Sequence, residues 1–235
     1  MTALSISYWA ADGSQPVLDL TVGDALRDAA AMAPRTTALV EGAPDPAGRR
    51  RWSYAGLLEE AERAARALLG RFAPGDRVAV WANNIPEWVI LDLAAGLAGI
   101  TIVTVNPALR PQELAYVLGQ SQADGIFLIP AYRESQMGEM VRQVRANLPA
   151  LREVISFTDW ESFCAEAAPD RALPAVNPQA AARSSTPPAQ PASPRGPCST
   201  TGGSSTTRGC TRRASASRQV TSSSAPCRCS TPPDA

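Results

Sequence analysis

The side chains with the reactivity or charge for catalysis are unevenly supplied in this chain. It has five cysteines, at 164, 198, 210, 227 and 229, and 22 basic residues, all of them arginine; histidine and lysine do not occur. Without histidine there is no ordinary general base and no imidazole metal ligand. Without lysine there is no ammonium to grip the phosphates of a nucleotide loop. Zinc sites need CxxC pairs or histidine partners at set spacing, and Cys227-Arg228-Cys229 does not supply them. Cys164 has no neighbouring base and reads as a spectator thiol. The run Thr200-Thr201-Gly202-Gly203-Ser204-Ser205 has the composition of a phosphate loop but neither the cation nor flanking text that would form a strand and a helix. Arg49-Arg50-Arg51 could hold an anion, but a solvated hairpin flank is the simpler reading. Trp81, Trp88 and Tyr116 read as core or subdomain-contact aromatics, and Asn83-Asn84 as loop and cap residues. No residue is assigned here to catalysis, to a cofactor or to a metal.

Composition divides the chain in two. Residues 1–175 hold all 13 aromatics, with 15 Arg against 21 acidic residues. Residues 176–235 hold no aromatic, Ile, Leu or Met and only Val176 and Val220, with seven Arg against the single acid Asp234. The first part can bury a core. The second cannot offset its ordering entropy by apolar burial and is expected to be disordered. A net charge of zero and a pI near 6.3 argue against nucleic acid as a partner. Arg208, Arg212, Arg213 and Arg218 could touch phosphates, but nothing aromatic is present to stack on bases. The opening residues lack a basic, apolar leader, so a cytoplasmic, reducing setting is expected, with incidental tail cysteines. Residues 85–105 approach the length of a membrane span, but Glu87, Asp92, Gly96 and Gly99 interrupt them. A buried helix followed by a buried strand is the better reading, with no membrane span.

Periodicity places the elements along the first part. Residues 23–33 read as a helix stopped by Pro34, 37–41 and 50–54 as a hairpin, and the stretch through Leu69 as a helix. That helix carries Leu57, Leu58, Ala61, Ala64, Ala65, Leu68 and Leu69 on one face and spaced Glu–Arg pairs outside. Strands are expected at 77–81, 100–105, 125–129 and 154–157. Helices are expected from Pro86 to about Gly99, at 111–120, at 135–148, and from an Asp159 cap to Ala167. Alternating strands and helices specify βαβ units and a parallel sheet covered on both faces.

Three stretches, RWSYAGLLEEAERAARALL (51–69), PGDRVAVWANNIPEWVILDLAAGLAGITIVTVNP (74–107) and LRPQELAYVLGQSQADGIF (109–127), resemble AMP-forming acyl-CoA synthetases of the adenylate-forming superfamily. The resemblance covers roughly residues 20–175. It implies an α/β fold in which 1–175 is an incomplete portion of the N-terminal domain, followed by a disordered tail over 176–235. It also implies a parent reaction in which a small carboxylic acid, ATP and Mg²⁺ give an acyl-adenylate, which coenzyme A then converts to a thioester. None of the three stretches is catalytic in that family. Its Ser/Thr/Gly-rich phosphate loop, ending Pro-Lys-Gly, is expected soon after Asn177, where AARSSTPPAQPASPRGPCSTTGG (181–203) stands instead.

The genetic code connects the two. Taking the third base of each codon with the first two of the next, residues 185–196 are compatible with YTSGTTGFPKG, 198–207 with LHHRGIVNN and 226–231 with MPLFH. The tail thus reads as synthetase text in a displaced frame, consistent with loss of one base between about Val176 and Arg183. Displacement in GC-rich DNA also accounts for the Ala, Pro, Arg, Ser and Thr bias and for the missing lysine and histidine. The chain as written is therefore expected to be a truncated, inactive synthetase that uses no cofactor of its own. The alternative is a non-enzymatic α/β interaction module with a basic disordered arm. If the tail is unfolded, brief trypsin treatment will cut at Arg195, Arg208 and Arg212 before any arginine between 20 and 171; mass spectrometry of the first products checks this.

Overall fold

The computed structural model describes residues 19–180 and 182–185. Helix α1, Val22–Met32, starts at a reciprocal cap: Thr21 Oγ1 accepts the Asp24 N–H at 3.0 Å, and the Asp24 carboxylate accepts the Thr21 N–H at 3.3 Å. A short antiparallel hairpin, β1 (Thr37–Val40) and β2 (Arg51–Ser53), follows. Ser53 then caps α2, Tyr54–Arg71, by accepting the Gly56 N–H at 3.2 Å. The buried stripe of α2 is the expected one, with Ala67 added and Leu58 and Leu69 only partly covered.

Five parallel strands form the main sheet. They are β3 (Arg77–Trp81), β4 (Thr101–Thr104), β5 (Gly125–Leu128), β8 (Glu153–Ser156) and β9 (Arg183–Ser185), in the spatial order β8-β5-β3-β4-β9. The side chains of β3 show why it is central. Val78 and Val80 join one apolar core, Ala79 and Trp81 the other, and all four are buried. The first core lies under α1, α2, α3 (Pro86–Ala98) and α6 (Trp160–Ala165). The second lies under α4 (Pro111–Ser121) and α5 (Met137–Arg145). Pro86 and Pro111 open their helices, where a missing N–H costs nothing. Gly99 closes α3 at φ 70°, a left-handed position that favours glycine. Among the described residues, no helix is long and apolar enough to cross a membrane.

The structure changes four sequence expectations. The helix expected from residue 135 begins at Met137, because a two-residue hairpin, β6 (Ala131–Tyr132) with β7 (Ser135–Gln136), turns the chain first. Asp159 precedes α6 but makes no side-chain cap. A 3-10 turn at Phe157–Asp159, capped by Ser156, occupies the place instead. Asn83 and Asn84 do not cap α3, whose N-cap position is Ile85. Finally, β9 lies within the stretch that composition assigns to the tail. Its backbone bonds to β4 in register, with Ile102, Val103 and Thr104 opposite Arg183, Ser184 and Ser185. A ladder bond requires backbone N–H and C=O groups, not apolar side chains, which is why the bias of residues 176–235 concealed it. The rest of the proposed tail, from residue 186, lies outside the described residues.

At the N-terminal edge of the sheet, carboxylates fix the strand starts. Asp124 accepts the Arg77 N–H at 2.9 Å, and Arg152 Nη2 reaches Asp76 at 2.7 Å and Asp124 at 3.2 Å. Gly125, beside them, has no room for a side chain: a Cβ there would lie 2.5 Å from the Phe72 ring. Gly125→Ala should destabilise the fold by about 1–3 kcal/mol through overpacking, measured as a lower urea midpoint with an unchanged m-value.

Candidate active-site edge

A ligand crevice in an open parallel sheet forms at the carboxyl ends of strands, where neighbouring strands send the chain to opposite faces. Here β3 leads to α3 on one face, β4 and β5 lead to α4 and α5 on the other, and β8 leads back to α6 on the first. The chain therefore diverges between β8 and β5, between β5 and β3, and between β3 and β4. The carboxyl edge is the candidate site.

Its geometry is set by backbone and arginine contacts. Trp81 Nε1 donates to Asn106 O at 2.9 Å, and Val105 N to Val80 O at 3.0 Å, tying the ends of β3 and β4. Asn106 Oδ1 accepts the Ala108 N–H at 2.9 Å and folds the loop that leads to α4. Glu87, in the first turn of α3, accepts Arg50 Nη1 at 2.6 Å. Arg50 also pairs with Glu41 at 2.9 Å and stacks 5.3 Å above Trp52. The Arg50 hydrogen bonds hold the Glu41 carboxyl below its usual range, and Glu41 and then Glu87 hold the Arg50 guanidinium above its own. Between the ends of β5 and β8 lies a cleft of about 590 Å³ bordered by Pro130, Gln136, Arg142, Ser156 and Asp159. β9 ends on the other flank, and the chain leaves the described residues there.

The remaining expectations sort plainly. Arg49 donates to Ala43 O at 2.6 Å and Arg50 is committed to carboxylates, so the arginine triplet is a hairpin flank. On α2, Arg66 pairs with Glu62 one turn away, while Arg63 reaches Glu161 of α6. Trp81 is a core residue, and Trp88 is partly buried beneath the Arg183 guanidinium. Tyr116 is not core: it is 46% exposed on α4. Cys164 is buried, and desolvation pushes its thiol up to about 12. Among the described residues, no group of three or more His, Cys, Asp or Glu could hold a metal.

Comparison with known proteins decides the family. The model for "AMP-binding enzyme" matches residues 26–207. The chain belongs to the AMP-binding enzyme family. Among curated relatives, it is 34% identical over 140 residues to the mitochondrial medium-chain acyl-CoA ligase ACSF2 of Rattus norvegicus, a match covering 59% of this chain and 22% of that one. It therefore spans about a fifth of the length of that relative. The N-terminal domain of FACL13 from Mycobacterium tuberculosis superposes with a TM-score of 0.57 at 27% identity, covering 67% of this chain and 38% of that one. A long-chain-fatty-acid-CoA ligase from Archaeoglobus fulgidus shares the fold, with a TM-score of 0.65 at 19% identity over 76% of this chain and 36% of that one. The acyl-CoA synthetase resemblance read from residues 51–127 thus agrees with the AMP-binding family assignment.

The buried thiol gives this chain a test of its packing. Cys164 should resist Ellman's reagent at pH 8 in the native chain and react fully in 6 M guanidinium. Its proton is held more tightly when folded, so its contribution to stability should be intact below the unfolded value of 9.0 and fall as pH rises from there toward about 12. Native-state labelling at the unfolded rate would contradict the packing around α6.

Proposed function

We propose that the gene encoding this chain specifies an AMP-forming carboxylic acid–CoA ligase, and that the 235 residues as they stand do not carry out the reaction. The observation that carries the reading is the end of β9. Restoring the displaced frame makes YTSGTTGFPKG start where Ser185 completes the strand, so the phosphate loop would leave the sheet at its carboxyl edge. Glycines and hydroxyls placed there would bring backbone N–H groups and O–H donors to phosphate oxygens, and the lysine would add positive charge.

In the parent reaction the acid's carboxylate oxygen attacks the α-phosphorus of ATP, the bond to the β-phosphate oxygen breaks, and pyrophosphate leaves. The thiol of coenzyme A then attacks the acyl carbon, and AMP departs with the electron pair of the broken acyl–oxygen bond. Mg²⁺ would neutralise phosphate charge. The described residues supply no carboxylate cluster for it, and they supply no lysine. Arg50 is not available as a substitute, because Glu41 and Glu87 already neutralise it. What this part of the chain supplies is the rigid sheet edge from which the loop would be held. A medium-chain acid is the first substrate to try, on the strength of the relative from Rattus norvegicus.

The purified 235-residue chain should give no pyrophosphate and no acyl-CoA above background with ATP, Mg²⁺, coenzyme A and fatty acids of six to twelve carbons as ~1 mM probes, a concentration at the top of the usual KM range. Turnover above that background would overturn the inactive assignment.

A further inference from the structure

The contacts of the strap before β9 bound where the displaced text begins, which rests on the frame reading above. Val176 lies beside Gly99 at the end of α3, with Val176 Cγ2 and Pro74 Cβ each 3.5 Å from where a Gly99 Cβ would lie. Asn177 Oδ1 accepts the Gln179 N–H at 2.9 Å, and Asn177 O accepts the Ala180 N–H at 2.9 Å, a side-chain-templated turn. Gln179 Nε2 donates to Asp19 at 3.3 Å, and Ala182 O accepts the Ile102 N–H at 3.0 Å. These side chains perform specific tasks. The neighbouring frame could not provide the two side-chain contacts: the codon spanning 176–177 there encodes only Lys, Gln or Glu and the codon spanning 178–179 only Ser, Pro, Thr or Ala, whereas Ala180 and Ala182 contribute backbone groups alone.

The following residues behave differently. Ser184 stands in register with Val103, and parallel neighbours in register present side chains to the same face. Val103 is fully buried in the core beneath α4 and α5, so position 184, half-buried at the sheet edge, faces the same apolar layer, yet it carries a hydroxyl. In the neighbouring frame, the codon at this position takes its last two bases from the first two of Ser184. A TC start gives Ile, Leu, Val or Phe, all suited to the layer. An AG start gives only Lys, Gln, Glu or a stop.

We infer that the native text runs at least through Gln179, that the base is lost between codons 179 and 183, and that the intact β9 carries an apolar residue at position 184, beside Val103 and two positions before the phosphate loop's tyrosine. The Arg183–Asp92 ion pair and the Arg183–Trp88 stack are then contacts of displaced text that occupy the strand without completing its core.

Two measurements test this. The first is the coding DNA over codons 176–196. A TC start at Ser184 is expected; an AG start overturns the inference and leaves the phosphate-loop reading intact. Third bases at codons 185–195 that fail to spell the loop overturn that reading instead. The second is stability. Ser184→Ile in the 235-residue chain should raise Tm by a few degrees, and a lower or unchanged Tm counts against an apolar position 184. A gene repaired by one base after codon 182 should yield a product that melts above one repaired after codon 176, which loses the Asn177 turn and the Gln179 contact. Equal or reversed melting would place the lesion upstream.

Discussion

A strand with both faces dry cannot exist without a layer of helices on each side. The sequence Arg77–Trp81 sets that constraint, since Val78 and Val80 need one apolar core while Ala79 and Trp81 need another. The crossovers meet it by passing α3 over one face and α4 over the other. Once they do, the loops after β3, β4, β5 and β8 diverge at the carboxyl edge and open the crevice between them. The opposite edge is then free to act as an anchor, where Asp76, Asp124 and Arg152 hold the strand starts. Fold and candidate site are consequences of the same doubly buried strand.

Much of this was legible in the residues. Apolar runs without alternation marked β3 and β4, helical spacing marked α2, and Pro86 and Pro111 marked two helix starts. What escaped depended on tertiary context. The hairpin β6–β7 is only two residues per strand and carries no periodic signal. The exposure of Tyr116 follows from which face of α4 meets the sheet. The strand β9 is held by backbone hydrogen bonds to β4, so Arg183-Ser184-Ser185 gave no β-branched or apolar cue. The site itself was invisible as residue types, because the described residues supply no lysine, no histidine and no carboxylate cluster for a metal at the carboxyl edge.

Strand register ends β9 at Ser185 on the carboxyl edge of the sheet, and the phosphate loop proposed from codon compatibility would start at the next residue. Membership in the AMP-binding family through residues 26–207, and the likeness to acyl-CoA ligases, favour a ligase scaffold over a non-enzymatic interaction module.

The most direct test of the central claim is ATP–pyrophosphate exchange by the gene product with one base restored between codons 182 and 183, translated to its own stop codon. With a medium-chain fatty acid and Mg²⁺ present, exchange that requires the acid and is lost when the lysine of the restored loop is replaced by alanine is the predicted result. A folded, soluble product that shows no acid-dependent exchange with any chain length tried would contradict the account.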